Sequence, residues 1–133
     1  MSNKQKTILI IDDDHDFLFQ LEAILTSAGY RVIKAESRAE GEKLLAAEKP
    51  DGLIVDLMLE ENDDGFVLCH LARKLYPGLP IIMVTGVAGE EGIAFDTITG
   101  EERDWIKADL ILAKPVRAEQ VLAALERLKG GHR

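Results

Sequence analysis

The segment Ile8-Leu9-Ile10-Ile11-Asp12-Asp13-Asp14 sets four apolar side chains directly against three carboxylates. An uninterrupted apolar run of this length, rich in Ile and Leu, reads as a strand buried on both faces, as in a parallel sheet covered by helices. Leu53–Val55, Ile81–Val84 and Leu110–Ala113 repeat the pattern further along the chain. A fifth run, Tyr30–Ala35, carries Arg31 and Lys34 among its apolar residues. Charged side chains inside a strand mark an edge position, because they blunt pairing with another chain.

Helical patterns fill the intervals. Phe17, Leu18, Leu21, Ile24, Leu25 and Ala28 recur with the 3.6-residue period, and Gly29 supplies a stop. Ser37 and Glu40 form a capping-box pattern opening a second helix through Leu44 and Leu45, which must end by Pro50. Phe66, Cys69, Ala72, Leu75 and Tyr76 make a third apolar face ahead of Pro77-Gly78. Ala118, Val121, Leu122, Leu125 and Leu128 make the last, ahead of Gly130-Gly131. Strands alternating with helices, joined by right-handed crossovers, predict an α/β fold with a doubly wound, five-stranded parallel sheet and helices on both faces. Val87–Lys107, with Gly89, Gly92 and Gly100 and weak periodicity, is read as a short or distorted helix.

The 133 residues suit one domain, read as 1–133 with tails of about 1–5 and 130–133. Apolar residues make up 47% and charged residues 30%, a balance that supports a core. Sixteen basic against 24 acidic residues give a net charge of −8 with no Lys/Arg cluster, which disfavours direct nucleic-acid or membrane-surface binding. No apolar run approaches a membrane span, and none of signal-peptide length precedes the acidic cluster. The one cysteine, Cys69, cannot close an internal disulfide. A cytoplasmic location is therefore expected.

In open parallel sheets, ligands bind beyond the carboxyl ends of the strands. There the first strand runs into Asp12, Asp13 and Asp14, the third ends on Asp56, the fourth on Thr85 and the fifth on Lys114-Pro115. Carboxylates crowded this closely call for a cation, and an oxygen-only ligand set with room for waters suits Mg²⁺. A carboxylate beside such a cation is a competent nucleophile for phosphoryl transfer, with the hydroxyl and ammonium placed to hold the transferring oxygens.

"ILIIDDD", "LIVDLM", "IIMVTG" and "LILAKPV", in this order on successive strand ends, resemble the receiver domain of two-component response regulators from Lys6 to about Lys129. The resemblance implies a flavodoxin-like strand order of 2-1-3-4-5. It implies Asp56 as phosphoacceptor, and Mg²⁺ bound by Asp12, Asp13, Asp56 and the Met58 backbone carbonyl. It also implies Thr85 as switch hydroxyl and Lys114 as its partner, followed by a cis bond to Pro115. The implied function is a signalling switch, not a turnover enzyme. The implied partners are a histidine kinase or histidine phosphotransfer protein upstream and an unidentified protein target downstream.

Departures from the family pattern fall near the output surface. Glu60 stands where the family usually has proline, and one extra residue precedes Gly65. Lys114 follows Thr85 by 29 positions, several more than usual, and the aromatic switch position is Ile111. These features keep open a phosphorylation-independent interaction domain. An aspartate-nucleophile phosphohydrolase fits less well, since its motif asks for Thr or Val where this chain has Asp16. Among the remaining residues, Asp14 reads as a helix N-cap, Cys69 as buried packing and Trp105 as a packing anchor. His15, His70 and His132 share no metal spacing, although His15 borders the acidic rim.

Overall fold

The computed structural model describes residues 5–56, 64–85, 109–113 and 116–131. Five strands alternate with four helices in these segments: β1 (Thr7–Ile11), α1 (His15–Ser27), β2 (Arg31–Ala35), α2 (Arg38–Glu48), β3 (Gly52–Asp56), α3 (Asp64–Leu75), β4 (Ile81–Thr85), β5 (Leu110–Ala113) and α4 (Ala118–Gly131). All neighbouring strands pair in parallel, in the order β2-β1-β3-β4-β5. The predicted α/β sheet and its strand order are both observed. The helix read in Val87–Lys107 and the cis bond read at Pro115 lie outside the described residues.

The period-two alternation of strand side chains divides the core into two layers. Leu9, Ile11, Leu53, Val55, Ile81 and Met83 point to one face and pack with Leu45 of α2 and Leu68, Cys69 and Ala72 of α3. Ile8, Ile10, Ile54, Ile82 and Val84 point to the other and pack with Leu18, Leu21 and Leu25 of α1 and Val121, Ala124 and Leu125 of α4. Every residue of β1 and β3 is buried, which explains why these runs are apolar without alternation. Fully burying one such side chain contributes about 1.5–3 kcal/mol. In β2 only Ala35 is buried, and Lys34 pairs with Glu22 at 2.7 Å, as an edge strand requires.

Helix ends follow local chemistry. Asp14 caps α1, its Oδ1 accepting the Phe17 N–H at 3.2 Å. That helix closes in a Schellman arrangement: Tyr30 N–H donates to the Leu25 carbonyl, Gly29 N–H donates to the Thr26 carbonyl, and Gly29 adopts φ 100°. Ser37 Oγ accepts the Glu40 N–H at 3.2 Å, whereas the Glu40 carboxylate reaches the Glu36 N–H, one residue before the position a simple capping box predicts. Gly41 lets α2 lie close on β1, since a Cβ there would meet Ile11 Cδ1 at 2.7 Å. The Tyr76 hydroxyl donates to the Leu45 carbonyl at 2.6 Å, satisfying one of the last α2 carbonyls.

Two readings of the apolar faces and one of a helix end change. Ile24 and Leu75, assigned to core stripes, are 36% and 41% exposed. Leu18, Leu21 and Leu25 already fill the contact beneath α1, and at the end of α3 it is Tyr76 that packs against the core. The last helix also runs through Gly130 and Gly131 instead of stopping before them.

Two aspartates that periodicity does not register finish the amino-terminal edge of the sheet. Asp51 N–H donates to the Thr7 carbonyl, and Thr7 N–H donates to Asp51 Oδ2, both at 2.7 Å. Asp109 and Ile81 repeat this pairing at 2.8 Å in each direction. Arg73 braces the second pair, donating to Asp109 at 3.1 Å and to the Pro77 and Leu79 carbonyls at 2.8 Å. Asp109→Ala strands the Ile81 N–H and part of the Arg73 fork. It should lower unfolding free energy by about 1–3 kcal/mol in urea titration, with Asp109→Asn losing less. Burial in the apolar layer pushes the Cys69 thiol up to about 12. The neutral thiol favours the fold at every pH below its ordinary value, and this contribution fades only as pH rises towards 12. At pH 8 an aromatic disulfide reagent should therefore leave the native protein unlabelled and react fully once urea unfolds it.

Candidate functional site

The β1–β3 register builds the site. Ile11 lies opposite Val55, so the next residues on the two strands, Asp12 and Asp56, emerge side by side at the carboxyl edge of the sheet. Asp12 is 1% exposed and Asp56 6% exposed, whereas Asp13 faces solvent. One carboxylate oxygen from each of Asp12, Asp13 and Asp56 lies within 4.8 Å of the others.

Backbone hydrogen bonds hold the first turn. Asp12 N–H donates to the Ala35 carbonyl at 3.0 Å, and Asp12 Oδ1 accepts the Asp14 N–H at 2.9 Å. This turns the chain so that Asp14 serves α1 while Asp12 stays with Asp56, the separation of roles expected for the three consecutive aspartates. At such distances each pair of like charges repels by roughly 3–4 kcal/mol at an effective dielectric near 20. Oxygen donors alone, two of them sheltered from water, fit Mg²⁺ or a similar hard cation.

The other strand ends meet the same rim. Asp56 lies opposite Val84, and the following residue, Thr85, closes β4 opposite Ala113, the last residue of β5. Lys114 is the next residue in the chain. The structure thus brings Asp12, Asp13 and Asp56 together and places the Thr85 backbone beside them. Lys114 and Met58 lie outside the described residues.

Two polar side-chain contacts around the rim escaped the sequence reading. His15 Nε2 lies 3.0 Å from Glu36 Oε1, both exposed, joining the residues that follow β1 and β2. Arg38, the first residue of α2, lies 3.4 Å from the carboxylate of Asp64, the first residue of α3, which is only 2% exposed. The signal for Asp64 was its place in an Asp-Gly pair a few residues after Asp56. Nothing local marked Arg38. A cavity of about 200 Å³ lies at the opposite end of the sheet, lined by Lys6, Ile8, Tyr30, Asp51, Gly78, Pro80 and Leu125. No helix among the described residues is long and apolar enough to cross a membrane.

Comparison with known proteins gives this geometry a context. A family model for the response regulator receiver domain matches residues 8–126. The transcriptional regulatory protein GlrR of Escherichia coli (strain K12) is 36% identical over 126 residues, which make up 95% of this chain and 27% of the relative. The chain therefore spans about a quarter of that relative's length. Among solved structures, a response regulator receiver protein from Sinorhizobium medicae WSM419 superposes with a TM-score of 0.81 at 27% identity, covering 99% of this chain and 100% of the other. A CheY-like receiver domain protein from Methanospirillum hungatei JF-1 gives 0.79 at 30% identity, covering 96% of each chain. With its strand order, its acidic rim and the match over residues 8–126, this chain belongs to the receiver domain family of two-component response regulators.

Proposed function

We propose that this domain is a phosphorylation-dependent switch that takes a phosphoryl group onto Asp56 from a histidine kinase or a histidine phosphotransfer protein. The observation that carries the reading is the convergence of Asp12, Asp13 and Asp56 within 4.8 Å, with the acceptor carboxylate sheltered at a central strand end.

In the transfer, an Asp56 carboxylate oxygen attacks phosphorus in line. The new P–O bond forms as the P–N bond of the phosphohistidine breaks, and the imidazole nitrogen keeps the electron pair. Hydrolysis reverses the state when water attacks phosphorus and releases inorganic phosphate, restoring the carboxylate. Mg²⁺, held by Asp12, Asp13, Asp56 and the Met58 carbonyl, would supply charge neutralisation for the carboxylates and the transferring oxygens. Asp13, the exposed member, would be its most direct ligand, and Asp12, whose Oδ1 also accepts the Asp14 N–H, would add a buried carboxylate beside it. Thr85 and Lys114 take the phosphoryl oxygens that the carboxylates would repel.

The domain works as a switch in the cytoplasm, and its output is a changed surface read by a protein target. The one cysteine, Cys69, is a free thiol, which fits a reducing compartment. Direct contact with nucleic acid is not part of this reading. The transcriptional role of GlrR belongs to that longer protein.

Acetyl phosphate with Mg²⁺ should add one phosphoryl group, mapped to Asp56 by mass spectrometry, and Asp56→Asn should stay unmodified. Adduct persisting in Asp56→Asn overturns the assignment, and no adduct on the wild type favours a phosphorylation-independent interaction domain. In calorimetry without phosphate, Asp13→Ala should weaken Mg²⁺ binding by at least about tenfold.

A further inference from the structure

The cavity at the amino end of the sheet divides by chemistry into a floor and a mouth. Ile8 of β1, Leu125 of α4 and Tyr30, the residue before β2, are buried and form the floor with half-buried Pro80. The Tyr30 hydroxyl donates to Glu126 at 3.3 Å, so its proton is already committed. Lys6, Asp51 and Gly78 are exposed and stand at the mouth. Gly78 keeps that mouth open, since a Cβ there would meet no atom within 4 Å. Lys6 and Asp51 line the same space yet form no ion pair with each other, and the Lys6 ammonium meets no carboxylate among the described residues. Asp51 Oδ2 accepts the Thr7 N–H at 2.7 Å, which fixes the carboxylate, while its Oδ1 has no hydrogen-bond partner among the described residues.

One positive and one negative group thus stand apart above an apolar floor. The volume of about 200 Å³ exceeds the roughly 150 Å³ of an apolar cavity that takes up benzene. It falls short of the about 300–1,000 Å³ of a site for a drug-sized molecule. That size suits a single amino acid. We propose that this cavity is a second ligand site, separate from the acidic rim, for a free aliphatic amino acid about as large as leucine. The branched side chain lies on Ile8, Tyr30 and Leu125, the α-carboxylate meets Lys6, and the α-ammonium meets Asp51. Apolar contact with the floor supplies most of the affinity. The two exposed charges add little each, but together they select the zwitterion over a molecule carrying one charge.

The test is a heteronuclear NMR titration of the full chain with leucine, with isocaproate, which lacks the ammonium, and with isopentylamine, which lacks the carboxylate. Leucine should shift the amides of Ile8, Tyr30, Gly78 and Leu125 saturably and leave those of Asp12 and Asp56 in place. Each analogue should bind about two- to fivefold more weakly, the range of an exposed ion pair. Lys6→Met should weaken leucine and isocaproate by a similar factor and leave isopentylamine unchanged. Asp51→Asn, whose amide oxygen can still accept the Thr7 N–H, should weaken leucine and isopentylamine and leave isocaproate unchanged. Should Asp51→Asn fail to fold, Lys6→Met and the two analogues decide. The proposal is overturned by the absence of a saturable shift with leucine, or by shifts confined to the rim. It is equally overturned by an analogue that binds as tightly as leucine, or by a folded variant that binds leucine like wild type. Neither result bears on Asp56, since no residue of the rim takes part.

Discussion

The parallel pairing of β1 with β3 carries both the core and the acidic rim. Ile8 to Ile11 face Gly52 to Val55 across the ladder, and each strand is buried on both sides. A slip of one residue would send every side chain to the wrong face, so apolar burial specifies this register strongly. The same register sets Asp12 beside Asp56. Two carboxylates that repel each other are held together because the residues preceding them are locked in place by the hydrophobic effect.

Much of the acidic excess serves backbone ends instead of forming a diffuse surface field. Asp14 caps α1, Asp12 holds the turn before it, and Asp51 and Asp109 each accept the first N–H of a neighbouring strand. Backbone groups at the margins of a sheet or helix have no partner within their own element, and a short carboxylate supplies one. Asp64 stands at the α3 N-terminus, where the helix dipole favours negative charge. At the rim itself, Asp12, Asp13 and Asp56 form the one three-carboxylate cluster found among the described residues.

The two faces of the sheet differ in how their helices are joined. On one face α2 and α3 are linked by side-chain contacts at both ends, through Arg38–Asp64 and Tyr76–Leu45. On the other, Tyr30, packed with α1 and α4, reaches Glu126 at 3.3 Å. Burial, the charge of Glu126 and that hydrogen bond together keep the Tyr30 phenol protonated above its ordinary range. The α2–α3 pair is thus braced at both ends.

The strands, the four described helices, the α1 stop at Gly29, the Asp14 cap and the convergence of Asp12, Asp13 and Asp56 were legible in the sequence. All but the convergence depend on short-range signals: apolar periodicity, a capping side chain, or the residue that follows a buried run; the convergence follows from carboxylates standing at the carboxyl ends of parallel strands. The roles of Thr85, Lys114 and Met58 rest on family resemblance, because no local pattern distinguishes a switch threonine from a turn threonine. Only the tertiary structure decided which distant groups meet. Asp51 and Thr7 are 44 residues apart, Asp109 and Ile81 28, Arg38 and Asp64 26, and His15 and Glu36 21. Such pairs are set by strand order and by how closely each helix lies on the sheet. The exposure of Ile24 and Leu75 has the same origin, since periodicity shows which side of a helix is apolar and the neighbouring elements determine how much of that side is covered.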